Sequence, residues 1–218
     1  VSVTGTVGLQ SDLPTITQSL TINGGSQTSF IVSGQNINDL RPFAVNAASS
    51  AAVNINNLTV TRGGGGTGGG IFIQGGANVT LANVTVSNNN SAGAGGIRVS
   101  GSTLNIVNSL ITGNRTTFQP GGGISASNST VFITGTRISQ NTAAGDINTN
   151  GGGLYSSSSN TRIENSVING NSAESSGGGL RQAGGTLLMS NVSIVSNSIS
   201  GTGNGGGGLH ISGSATLR

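Results

Sequence analysis

Few side chains in this sequence could do chemistry. The carboxylates are Asp12, Asp39, Asp146, Glu164 and Glu174. Hydrolysis of a glycosidic bond needs two carboxyl groups flanking that bond, and Ca²⁺-assisted cleavage needs a cluster of them with a base beside it. No two of the five fall at a spacing that sets them side by side. Asp146 lies in a segment of variable length, and Glu164 alternates outward from a strand. His210 is the single histidine, and no Ser or Cys column accompanies it. Cysteine is absent, which removes disulfides and thiolate metal sites. The glycine runs within 63–70 and 205–208 have no following Lys or helix, so they do not read as phosphate loops. The expectation is a protein that is not an enzyme and carries no metal or cofactor.

What must position any remaining site is set by an unusual composition. Gly (40), Ser (32), Asn (26) and Thr (24) make up more than half of the 218 residues, and Lys and Trp are absent. A charge of only +3, with Val, Ile and Leu above a fifth of the chain, argues against disorder. So many poor helix formers argue against a helical protein. Eight scattered Arg form no basic patch for nucleic acid. No apolar run approaches the ~20 residues of a membrane helix.

Internal repetition organises the chain. A Gly-Gly pair followed by Ile or Leu recurs with the aliphatic marker at Ile71, Ile97, Ile124, Leu154, Leu180 and Leu209, and Phe43 fills the same slot without the glycines. An Asn follows each marker after 17 or 18 residues, at Asn89, Asn114, Asn141, Asn171 and Asn197, whereas the distance from Asn to the next marker varies from 8 to 13. Fixed register in one part and free length in another is what a stacked coil with one permissive corner requires. Apolar columns align inside the fixed part: Ile55, Leu81, Ile106, Ile133, Ile163 and Met189, with Val53, Val79, Leu104, Val131, Thr161 and Leu187 two residues earlier. Val60, Val86, Ile111, Ile138, Ile168 and Ile194 form a third. The alternation is that of short strands with one buried face. It predicts an all-β, right-handed parallel β-helix of about eight three-stranded coils, occupying residues 1–218 as one domain.

Two Asn columns read as structural, through left-handed corners or amide ladders. One is the set from Asn89 to Asn197. The other is Asn57, Asn83, Asn108, Asn165 and Asn191, interrupted by Gly135. The residue after each marker should face solvent, which makes Phe72, Arg98, Tyr155, Arg181 and His210 the candidate binding residues, with Ala44 and Ser125 in the same row. Such an aromatic and Arg-bearing stripe suits contact with a glycan or a protein. The loops expected to vary or bind are 90–96, 115–123, 142–153, 172–179 and 198–208. Seven Asn-x-Ser/Thr triplets are about what composition alone produces, so they say nothing about glycosylation.

The Gly-Gly-Ile and Gly-Gly-Leu motifs, with Val or Ile three residues before each ladder Asn, resemble the repeats of the chlamydial polymorphic outer membrane proteins. They are also similar to the right-handed β-helix repeats of bacterial secreted and cell-surface proteins. Leu13-Pro14-Thr15-Ile16 and Leu20-Thr21-Ile22-Asn23-Gly24 look like the first coils of such domains. The resemblance implies export, surface exposure and an adhesive or scaffold role, without an active site. The reading is a surface-exposed or secreted structural module that contacts a glycan or a host or cell-surface protein. An end-stacking fibre subunit and a polysaccharide-active enzyme are the alternatives. The chain starts in a strand-like stretch and stops in mid-coil, so the expectation is an excerpt of a longer protein or a homo-oligomer stacked end to end.

Overall fold

The computed structural model describes residues 4–145, 149–203, 205–213 and, for the backbone, 216–217. Asp146 therefore lies outside the described residues. All described regular structure is β, and all paired strands run parallel. Seven strands carry the markers: Phe43–Asn46, Ile71–Gln74, Ile97–Ser100, Ile124–Ser127, the start of Leu154–Asn169, the start of Leu180–Val195, and Leu209–Ser212. Each marker pairs with the next, Phe43 with Ile71 and so on to Leu180 with Leu209. A bridge from Ile16 to Val45 adds an eighth rung. At one strand spacing per rung the stack is about 35–40 Å long.

A second sheet follows, through Ala52–Thr61, Asn78–Ser87, Thr103–Val107 and Thr130–Thr134, and a third through the later halves of the long strands together with Leu110–Thr112 and Arg137–Ser139. The coil is not three-stranded throughout. A fourth ladder of two-residue strands, Asn90–Ser91, Arg115–Thr116, Thr142–Ala143, Ser172–Ala173 and Ser198–Ile199, follows each ladder Asn. Its strands are too short to show an alternation, so the repeat pattern did not display it.

The aliphatic columns form one continuous core. Ile55, Leu81, Ile106, Ile133 and Ile163 are fully buried, as are Val60, Val86, Ile111, Ile138 and Ile168, while Met189 and Ile194 pack against it from partly buried positions. Thr161 breaks its aliphatic column because it has a partner: its hydroxyl lies 2.8 Å from that of Ser156, buried five residues earlier on the same long strand. Thus the polar atoms enter the core as a hydrogen-bonded pair, as burial demands.

Left-handed residues mark the corners. Between the first two sheets they are the pairs Gly75-Gly76 and Gly184-Gly185 and the single residues Gly101, Asn128 and Ser158. Between the second and third they are Asn57, Asn83, Asn108, Gly135, Asn165 and Asn191, all at φ between 48 and 59°. Asn and Gly are the residues that adopt this conformation at least cost, which explains why Gly135 substitutes for Asn there. The other column follows the amide-ladder reading and not the left-handed one. Asn89 to Asn197 do not have positive φ; the residue just before each one does, namely Asn88, Gly113, Gln140, Gly170 and Ser196.

Candidate functional site

The ladder asparagines face inward and bond coil to coil. Asn89, Asn114, Asn141 and Asn171 each donate from Nδ2 to the Oδ1 of the next, all at 2.9 Å. Each of those Oδ1 atoms also accepts the backbone N–H of the preceding ladder residue, at 2.9–3.1 Å. The second Nδ2 hydrogen of Asn114, Asn141, Asn171 and Asn197 reaches a strand carbonyl at 2.9 Å. The same logic operates at two further corners, where the sequence had not signalled it. Ser102 N–H donates to Ser129 Oγ and Ser129 N–H to Ser159 Oγ; likewise Ser109 N–H donates to Thr136 Oγ1 and Thr136 N–H to Ser166 Oγ. The available signal was a hydroxyl residue directly after Gly101, Asn128 and Ser158 at one corner and after Asn108, Gly135 and Asn165 at the other.

This scaffold places the predicted binding residues in one outward row. Ala44, Phe72, Arg98, Ser125, Tyr155, Arg181 and His210 pair in that order, rung by rung, and all are half-buried. Glycine makes room for the row. A Cβ on Gly121, Gly151 or Gly177 would lie 2.6–2.8 Å from the Cβ of Ser125, Tyr155 or Arg181 of the same coil.

The two ends of the row differ. At one, the Arg41 guanidinium lies 5.1 Å from the centre of the Phe72 ring, a cation–π arrangement. Arg41 also donates from Nε to Gly68 O and from Nη2 to Thr67 Oγ1, both at 2.8 Å. Burial lowers its pKa, and the Asp12 charge opposes that shift. At the other end Arg181 is committed to the fold, donating from Nη1 to Asn150 Oδ1 and to Ser176 Oγ. His210 pairs beside it, and its pKa is pushed below the ordinary value by burial and then by the Arg181 charge. A Cβ on Gly205 would collide with its Nδ1, so the backbone at Gly205 rests on the imidazole.

A loop-walled cleft opens on Arg98. It holds about 480 Å³ and is walled by Gly66, Thr67, Ala92, Gly93, Phe118 and Gln119. Phe118 is 65% exposed, the most of any large apolar residue described. Sequence reasoning had singled out Arg98 and the 90–96 and 115–123 loops, but not Phe118 or Arg41. An aromatic in a Gly/Asn/Thr-rich loop was the missed cue.

The carboxylates fall into separate places with one exception. Asp12 and Asp39, expected apart, line a common cleft of about 190 Å³, because they follow the strands Gly5–Gly8 and Phe30–Ser33, which pair in parallel. Asp12 accepts the Arg41 backbone N–H at 2.7 Å. Glu164 is ion-paired to Arg162, and Glu174 accepts a hydrogen bond from Ser200 Oγ at 3.1 Å. Among the described residues no group of three His, Cys, Asp or Glu converges on a metal position.

Rungs of parallel strands, inward amide ladders and a loop-walled cleft on one face define a parallel β-solenoid. The chain belongs to the right-handed beta helix region family, which matches residues 43–218. The match reaches this broad family and does not single out the chlamydial repeats. No curated protein and no solved structure matches the chain.

Proposed function

We propose that the protein is a non-enzymatic, extracellular or cell-surface adhesive solenoid whose Arg98–Phe118 cleft contacts an acidic glycan. The observation that carries this reading is the cleft itself. Half-buried Arg98 and exposed Phe118 line one cleft of about 480 Å³, with no carboxylate among the lining residues. A sugar ring stacks on an aromatic face through its C–H groups, and an arginine fork matches a carboxylate. The space is that of a small-ligand site. The rigid row from Phe72 to His210 extends the platform for a longer chain. A binding role in preference to a hydrolytic one is supported by the engagement of Asp12, Glu164 and Glu174 in contacts that hold the fold.

An array of acidic and neutral glycans tests the proposal. The wild-type protein is expected to retain carboxylate-bearing glycans. Arg98→Ala and Phe118→Ala are each expected to weaken retention about tenfold while leaving thermal unfolding unchanged. Retention unaffected by both changes, or binding to a protein ligand alone, would overturn it. Incubation with the same glycans is expected to release no reducing or unsaturated ends.

A further inference from the structure

The second sheet carries a recess of its own, one corner away from the marker row. It holds about 350 Å³ and is lined by Thr130, Phe132, Asn160, Arg162, Thr186 and Leu188. Two columns of the sheet form it. Phe132, Arg162 and Leu188 pair on successive rungs, and Thr130, Asn160 and Thr186 pair beside them. The earlier members of the first column are polar, Asn54, Thr80 and Asn105, so the apolar surface begins at Phe132. That ring is 40% exposed although it lies on a strand. The one charge on the recess is cancelled locally, since Arg162 Nε donates to Glu164 Oε1 at 2.8 Å.

We infer that this recess is a second docking site, for a neutral, extended oligosaccharide lying along the solenoid axis. The occupant follows from the pattern. One column offers apolar and planar groups to the C–H face of a sugar, and the other offers a hydroxyl or amide at every rung. Rungs recur each ~4.8 Å, close to the length of one sugar unit in an extended chain. Charge complementarity selects a neutral polymer, because the Arg162–Glu164 pair leaves no net charge for a polyanion to meet. A peptide laid along the axis could not join the sheet, because the strands' own N–H and C=O groups are already paired within it. The site is separate from the Arg98–Phe118 cleft, so each can fail without the other.

Affinity electrophoresis through gels containing soluble β-glucan, xylan or mannan tests the inference, with polyuronate gels run alongside. Retardation in at least one neutral gel is expected. Phe132→Ala and Leu188→Ser should each weaken it about tenfold, and Arg98→Ala should leave it unchanged. Both altered residues face outward, and unchanged thermal unfolding would confirm that the fold survives. Three results would overturn the inference: no retardation by any neutral polymer, retardation that neither variant alters, or retardation abolished by Arg98→Ala.

Discussion

At the residue scale, asparagine does two different jobs, and the two are separable by mutation. Asn114 is 1% exposed, and its amide serves four hydrogen bonds linking three coils. Asn114→Ala would strand the backbone N–H and one Nδ2 hydrogen of Asn89 in the buried interior, take a donor from Val86 O, and leave Asn141 Oδ1 with the residue-114 backbone N–H alone. Each such group costs about 1–3 kcal/mol, so a loss of several kcal/mol is expected in denaturant unfolding. Asn83 is exposed and serves through its backbone, at φ 53°, with one amide bond to Asn57 at 3.1 Å. Asn83→Gly should change stability by less than about 1 kcal/mol, since glycine keeps the left-handed turn. Equal losses at the two sites would show that the distinction is wrong. Both columns were visible in the sequence as recurring Asn. Their different roles were not, because spacing reports recurrence and says nothing about which residue of a corner carries the positive φ.

At the element scale, stacking depends on where the backbone can approach the next coil. The Gly-Gly pairs are required by packing and not by backbone conformation: neither member of Gly95-Gly96 has positive φ. A Cβ at Gly96 would meet Gly123 O at 2.5 Å and the Asn114 side chain at 3.0 Å. Gly96→Ala must therefore push two rungs apart and disturb the ladder, and a cost of about 3 kcal/mol or more is expected. Gly101 sits at φ 58° with nothing within 4 Å of its would-be Cβ. Gly101→Ala should cost only the left-handed strain, about 1–2 kcal/mol. Chemical denaturation of the two variants decides between these sites. Strand columns and their register were legible because every coil repeats them. The cleft was only half legible: Arg98 sits in a repeating row, whereas Phe118 belongs to a loop whose length varies and whose path depends on the neighbouring loops.

At the scale of the whole molecule, the repeat converts sequence distance into rung number. Steps of 26 to 30 residues all become one strand spacing, because the loops absorb the difference outside the stack. Both proposed contact faces inherit their geometry from that conversion, one on the marker sheet and one on the second sheet. The chain contains no cysteine, so pairs of spin labels can be introduced without background. With one label at Ala44 and the other at Tyr155, Arg181 or His210, pulsed electron spin resonance should give backbone separations of about 19, 24 and 29 Å, rising by one ~4.8 Å step per rung. Separations that fail to rise by one such step per rung would contradict the stacked register.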